Sequence, residues 1–156
     1  MKSEIYYMNR ALGLAQRSMN RGEVPVGAIV VDPDGIIIGR GYNLMESKGT
    51  QQAHAEMRAL AAAAKKRGGW RLDECTLYVT LEPCAQCLGC ALLSRVGTIV
   101  YGASSPQFGA LSAFEVLPEQ YRAHTVIRGG LQQEACSGML KRFFVNVRTQ
   151  NVKDMP

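Results

Sequence analysis

Three side chains that bind metals stand at two points of the sequence. His54 opens the segment HAEMRAL (54–60), and Cys84 and Cys87 form a C-x-x-C pair in LEPCAQC (81–87). Cysteines three apart on a helical turn can converge on one ion, although a redox pair or two core cysteines would also explain the spacing. With His54 they make three ligands, which leave a tetrahedral zinc one open position, as catalytic sites have. We predict one Zn²⁺ per subunit on His54, Cys84 and Cys87.

A carboxylate follows the candidate histidine by two positions. In the first turn of a helix, His54 and Glu56 can both lean past the helix end toward an ion. A carboxylate beside a zinc site that is not itself a ligand can act as general base and then as general acid. An acid at a helix N-terminus is also favoured simply by the helix dipole. We predict that Glu56 is the catalytic residue.

The other cysteines and the second histidine are predicted to be structural. The chain has five cysteines, an odd number that argues against a disulfide framework. Cys90 lies two helical turns beyond Cys84, a rise of roughly 9 Å, which is too far to share the ion. We expect Cys75, Cys90 and Cys136 to be small buried residues and His124 to begin a strand.

Composition favours a compact α/β protein. With 156 residues, 47% of them hydrophobic, we expect a single domain, 1–156. The absence of an apolar run of ~18–20 residues and the polar residues of the N-terminal segment favour a cytoplasmic location without a membrane partner. The net charge of +5 is compatible with a phosphate-rich partner, but ordinary enzymes share it.

Strands and helices alternate after an opening hairpin. Val and Ile runs, turn residues and apolar spacing predict strands at 24–32, 36–43, 76–80, 98–102 and 124–129. Helices are expected near 5–19, where Ile5, Met8, Leu12, Ala15 and Met19 recur at helical spacing and form an apolar face. Further helices are expected from His54 to Gly68, over the three spaced cysteines, around 111–117 and at 131–147. This order predicts a three-layer α/β/α domain with a five-stranded mixed sheet whose later strands run parallel.

The motifs resemble those of one enzyme family. H-A-E followed by P-C-x-x-C, together with EVPVGAIVV, GRGYN, TLYVTLEPCAQC, SRVGTIVYGA and the late FF, is similar to bacterial tRNA-specific adenosine deaminases of the cytidine/deoxycytidylate deaminase superfamily. The resemblance covers roughly residues 3–148. It implies a cytidine deaminase-like fold, usually a homodimer, and hydrolysis of the wobble adenosine of the tRNA anticodon to inosine. It also assigns substrate contacts to five residues: Val26, Asn43, Ala55, Pro83 and Phe144.

The sequence departs from the family pattern around the substrate. Residues 104–109 read SSPQFG where the family usually has an Arg-Asp-x-Lys-Thr-Gly loop that touches the anticodon, and Gln51-Gln52 replace a Pro-Thr pair. The candidate zinc ligands and Glu56 match the family pattern, whereas residues 51–52 and 104–109, which lie where the family recognises its substrate, differ from it. The alternative hypothesis is therefore a deaminase of a free nucleobase or nucleoside of the cytosine or guanine type.

Three further alternatives stay open at this point. A non-catalytic RNA-binding subunit with a structural zinc would not need Glu56, and structural sites usually have four protein ligands. Phe143 and Phe144 suit either the tRNA hypothesis or plain core packing of the last helix. Basic side chains such as Arg142 and Arg148 could follow a phosphate backbone or form a solvated face.

Overall fold

A computed structural model describes residues 1–156. The chain forms seven helices and five strands, in the order α1 Glu4–Asn20, β1 Gly27–Val31, β2 Ile37–Tyr42, α2 Met45–Lys48, α3 Ala55–Arg67, β3 Thr76–Leu81, α4 Ala85–Leu93, β4 Thr98–Ala103, α5 Leu111–Val116, α6 Glu119–Arg122, β5 Val126–Arg128 and α7 Gln133–Lys153. A 3₁₀ turn, Gln51–Ala53, lies between α2 and α3. No helix is long and apolar enough to cross a membrane.

The five strands form one mixed sheet in the order β2-β1-β3-β4-β5. β1 pairs antiparallel with both β2 and β3, whereas β3, β4 and β5 run parallel. Parallel neighbours require a crossover, which α4 supplies between β3 and β4. The predicted hairpin and the parallel later strands are confirmed.

Helices cover both faces of the sheet. On one face α3 and α4 pack through small and branched residues, among them Ala59, Ala63 and Leu88, against Val30 and Val79 of the sheet. On the other face, α1 and α7 enclose a second cluster of Tyr7, Met8, Ala11, Leu14 and Cys136 with inner residues of β1, β3 and β4. The predicted three-layer α/β/α fold is confirmed.

Glycines in β2 allow α3 to lie close to the sheet. A β-carbon at Gly39 would overlap the backbone oxygen of Ala59, and one at Gly41 would overlap that of Ala55. The first turn of α3 is therefore held directly against the end of β2. This contact fixes the position of His54, the residue that directly precedes α3.

Several local predictions were wrong. Ile5 is exposed, because the buried stripe of α1 is centred on Tyr7, Met8 and Ala11. β1 begins at Gly27, and Val24 and Val26, which precede it, line the cavity described below. β5 begins at Val126, so His124 is an exposed residue before the strand, where its Nε2 lies 3.1 Å from an Arg95 nitrogen. Cys90 is only half-buried, packed at the edge of the core cluster, while Cys75 and Cys136 are buried as expected.

Candidate active site

Two helix N-termini bring the predicted zinc ligands together. His54 is the residue before α3, Cys84 is the residue before α4, and Cys87 lies in the first turn of α4. The Nδ1 atom of His54 lies 3.7 Å from Sγ of Cys84 and 3.4 Å from Sγ of Cys87. All three candidate ligand atoms lie within 4.8 Å of one another. The sequence pattern thus folds into a single cluster.

The geometry and chemistry of this cluster fit zinc. Tetrahedral zinc with ordinary Zn–N and Zn–S bonds separates nitrogen from sulfur by about 3.6 Å, close to both observed distances. Hydrogen bonds from Cys87 and then His54 lower the pKa of Cys84 to about 3, which favours the thiolate that a metal requires. One imidazole and two thiols leave a fourth position free, as in catalytic sites.

Glu56 lies beside the cluster without being one of its ligand residues. It stands in the first turn of α3, is 5% exposed and lines the same cavity as His54 and Cys84. Burial raises the pKa of Glu56 to about 7. A buried carboxyl group beside a metal site is suited to moving protons between water and a substrate.

Neither helix N-terminus is capped by a side chain. The residues before α3 and α4, His54 and Cys84, make no side-chain cap hydrogen bond. The first backbone N–H groups of a helix have no partner within the helix and carry its positive dipole end. Ala55 and Ala85, the first residues of the two helices, both line the cavity. Their backbones are therefore positioned to bind polar atoms of a substrate.

The cavity in front of the cluster measures about 900 Å³. Of the five predicted substrate contacts, Val26, Asn43, Ala55 and Phe144 line it. Pro83 is not among the lining residues, and its carbonyl oxygen accepts a hydrogen bond from the amide of Ala110 at 3.0 Å. The structure therefore brings four of the five residues to the cavity, and substrate contact by any of them stays a prediction.

The paired phenylalanines near the C-terminus have different surroundings. Phe143 is buried in the core, whereas Phe144 is 46% exposed and lines the cavity. Their rings meet edge-on, with centroids 5.3 Å apart. Phe143 is therefore a core residue, whereas Phe144 forms part of the cavity wall.

Sequence analysis missed two glutamates that hold segments beside the cavity. Glu23 is buried and accepts hydrogen bonds from the amides of Glu46 and Ser47 at 3.1 and 2.6 Å. Although burial raises the pKa of Glu23, its hydrogen bonds with Ser47 and Glu46 leave that pKa below the usual value. Glu82 similarly accepts from two amides of residues 105–111. Each glutamate lies within a motif of the sequence, Glu23 in EVPVGAIVV and Glu82 in LEPCAQC, and that position was the available signal.

Asn43 is held from both sides. Its Nδ2 donates to the carbonyl of Val24 at 3.2 Å, and its Oδ1 accepts from the amide of Met45 at 3.2 Å. An amide group offers two donors and two acceptor positions, so one of each remains for another partner. The side chain is thus oriented and still able to bind a ligand.

A comparison with known families agrees with this geometry. Residues 1–103 match the model of the cytidine and deoxycytidylate deaminase zinc-binding region. The chain belongs to the cytidine and deoxycytidylate deaminase family. It is a zinc-dependent hydrolytic deaminase, and His54, Cys84 and Cys87 are the residues of this deaminase that can hold the metal. Membership of an enzyme family and the presence of Glu56 disfavour the non-catalytic alternative.

The curated relatives of this deaminase described below have names that refer to reactions on tRNA. The deaminase is 41% identical over 95% of its length to the tRNA-specific adenosine deaminase of Bacillus subtilis, of which it covers 92%. It is 43% identical over 92% of its length to the tRNA(Ile)-lysidine synthase of Deinococcus radiodurans, but spans only 25% of that longer protein. The resemblance to bacterial tRNA-specific adenosine deaminases is confirmed.

Solved structures share the fold. A structure from work on A-to-I editing by tRNA:A34 deaminases is 32% identical, with a TM-score of 0.78, and the match covers 86% of this chain and 98% of that one. The guanine deaminase from Nitrosomonas europaea is 25% identical with a TM-score of 0.77, covering 92% and 85%. Solved structures with this fold therefore include both a tRNA:A34 deaminase and a guanine deaminase.

Proposed function

We propose that this deaminase converts adenosine at wobble position 34 of tRNA to inosine and releases ammonia. The observation that carries the proposal is the similarity to the Bacillus subtilis enzyme, which extends over 95% of the chain rather than over the zinc motifs alone. The site agrees with it, because zinc ligands, a buried acid and a cavity with an exposed aromatic wall lie together.

The reaction exchanges the amino group at C6 of adenine for oxygen from water. Zinc, when bound to His54, Cys84 and Cys87, supplies the Lewis acidity that activates water at neutral pH. Glu56 takes a proton from the attacking water and delivers it to the ring nitrogen N1. The same carboxyl group then transfers the second proton of the water to the departing amine, so that ammonia leaves and Glu56 returns to its starting state.

The remaining groups at the site orient the base. Asn43 offers one free donor and one free acceptor to a nucleoside, and the uncapped amide groups at Ala55 and Ala85 offer further donors. Val26 and Phe144 supply apolar walls against which a planar ring can pack. A cavity of about 900 Å³ lies near the upper end of the roughly 300–1,000 Å³ typical of ligand sites. It has room for more than one nucleobase.

A second candidate is deamination of a free base such as guanine. The observation that favours it is the loop at 104–109, which lacks the acid and the lysine that the tRNA-acting family usually has there. The structural likeness to the Nitrosomonas europaea guanine deaminase is compatible with this candidate.

One substrate panel separates the two candidates. The zinc-loaded protein is given an anticodon stem-loop with adenosine 34, the deoxyribose version of that hairpin, and free adenine, cytosine and guanine. We expect ammonia release and inosine formation with the RNA hairpin, at a kcat/KM at least about 100-fold above any free base, since binding of the whole hairpin adds transition-state stabilisation. Turnover of a free base with an unchanged hairpin would establish the second candidate instead.

We also propose that residues 1–156 act as one domain, that the enzyme is a cytoplasmic homodimer, and that α4 lies in the dimer interface. Leu93 at the end of α4 is 64% exposed, and Trp70 is 60% exposed on a segment whose Leu72 amide bonds the Ser94 carbonyl at 2.8 Å. Exposed apolar groups of this size are typical of interaction surfaces.

The dimer proposal predicts the behaviour of a charged variant. Leu93→Glu is expected to sediment as a monomer at concentrations where the wild type is a dimer, because a buried unpaired charge opposes association. Val116→Glu on α5 changes another exposed residue and serves as the control. If the wild type and both variants all sediment as dimers, α4 does not lie in the dimer interface.

A further inference from the structure

The loop at 104–109 forms one wall of the cavity. Ser104, Ser105, Pro106, Gln107 and Phe108 all line it, although the family motif that usually stands here is absent. Compared with that motif, the loop lacks three charged side chains (Arg, Asp and Lys) and has an aromatic one, Phe108. A cavity wall with this composition can recognise a planar apolar surface better than a phosphate.

Glu82 holds this loop in place. Its two carboxylate oxygens accept hydrogen bonds from the amides of Ser105 and Leu111, each at 3.3 Å. A β-carbon at Gly109 would overlap the Glu82 carboxylate, so the loop backbone lies directly against it. The Gly109 amide closes the loop on the Ser105 carbonyl at 2.8 Å. The loop is therefore anchored at both ends to the segment that leads into Cys84.

Phe108 projects from this anchored loop. Its side chain is 69% exposed, yet it lines the same cavity as Phe144. Burial of a phenylalanine ring is favourable, so a ring left mostly in water keeps apolar surface for a partner. Because the loop is fixed, the exposed ring is a defined part of the cavity rim.

We propose that Phe108, positioned through Glu82, stacks on a nucleobase that flanks the target adenosine in single-stranded RNA. This inference rests on the proposed tRNA function. Aromatic side chains stack on bases of any identity because every base presents a π face. Stacking by Phe108 thus replaces contacts that the charged residues of the usual loop would make.

The flanking base, rather than the target base, is the partner that the geometry fits. The target base must reach Glu56, which is almost fully buried, whereas Phe108 is mostly exposed at the rim. A single base also fills only part of a cavity of about 900 Å³. The ring is therefore available to the neighbouring nucleotide while the target occupies the zinc end.

The first test compares Phe108→Ala, Phe108→Tyr and wild type on the adenosine-34 hairpin. Loss of one stacked base weakens binding roughly 5- to 150-fold, so Phe108→Ala is expected to raise KM by that factor with kcat and zinc content unchanged. Phe108→Tyr keeps an aromatic face and should behave as wild type. Tyr121→Ala, which alters a partly exposed aromatic residue outside the cavity lining, is the matched control.

Abasic hairpins identify the partner. One hairpin lacks the base on the 5′ side of adenosine 34, and a second lacks the base on its 3′ side. One of these two hairpins should raise KM for wild type but cause no further rise for Phe108→Ala. Equal effects of the abasic site on both proteins, or a Phe108→Ala variant no weaker than Tyr121→Ala, would overturn the inference while leaving the proposed function intact. A hairpin that the wild type does not deaminate would overturn both.

The positioning by Glu82 has its own readout. If Glu82 acts through Phe108, Glu82→Ala raises KM for the hairpin, and the double variant is no worse than Phe108→Ala alone. Glu82→Gln, which keeps one acceptor oxygen, should recover part of the loss. Strictly additive effects of the two single variants would show that Glu82 does not act through Phe108.

Discussion

Glu56→Ala is expected to lower kcat on the adenosine-34 hairpin by roughly 10²- to 10⁴-fold without changing zinc content. The loss follows because a positioned acid–base group contributes about that factor to proton transfer. Glu56 lines the cavity beside the metal cluster but is not one of its three ligand residues. Single-turnover kinetics and metal analysis of the same preparation measure the two quantities together.

A matched substitution tests whether the effect belongs to the site. Glu115→Ala removes an exposed carboxylate on α5 and should leave both rate and zinc unchanged. If zinc falls together with the rate in Glu56→Ala, the carboxylate is a ligand and the assignment of His54, Cys84 and Cys87 is incomplete. If the rate is retained, another group moves the protons.

Cys87→Ala is expected to lower zinc affinity by more than about 100-fold and to bring turnover below detection. Removing a direct ligand should exceed the 10–100-fold effect typical of residues that only support a ligand. The thermal midpoint should fall as well, because a metal that binds the folded state stabilises it. Zinc titration and thermal unfolding with and without a chelator measure these effects.

Cys90→Ala provides the control for Cys87→Ala. Both cysteines lie on α4, but Cys90 is outside the group of residues whose ligand atoms converge. We expect normal zinc content and turnover in the Cys90 variant. Equal zinc loss from both variants would mean that α4 packing, rather than ligation, governs metal binding.

The architecture was largely predictable because its signals are local. Val and Ile runs, turn residues and apolar spacing predicted all five strands, and Gly68 ends α3 in the left-handed conformation that favours glycine. The errors concern tertiary packing. The buried stripe of α1 excludes Ile5, and Val24 and Val26 line the cavity before β1 begins, which spacing along the chain does not encode.

The ligand cluster was predictable for a different reason. Few residue types bind zinc, so His54 and the C-x-x-C pair could be paired before their distances were known. Glu82 and Phe108 were not found because their roles depend on a loop that closes back onto residue 82. Such contacts join segments more than twenty residues apart, and no periodic pattern marks them.

The most direct test of a hydrolytic adenosine deaminase is the origin of the oxygen in its product. The zinc-loaded protein is incubated with the adenosine-34 hairpin in ¹⁸O-labelled water, and the nucleosides and ammonia are quantified by mass spectrometry and a coupled assay. The account predicts inosine that carries one ¹⁸O atom at C6, with one ammonia released per inosine. An unchanged hairpin, or inosine without the label, would contradict it.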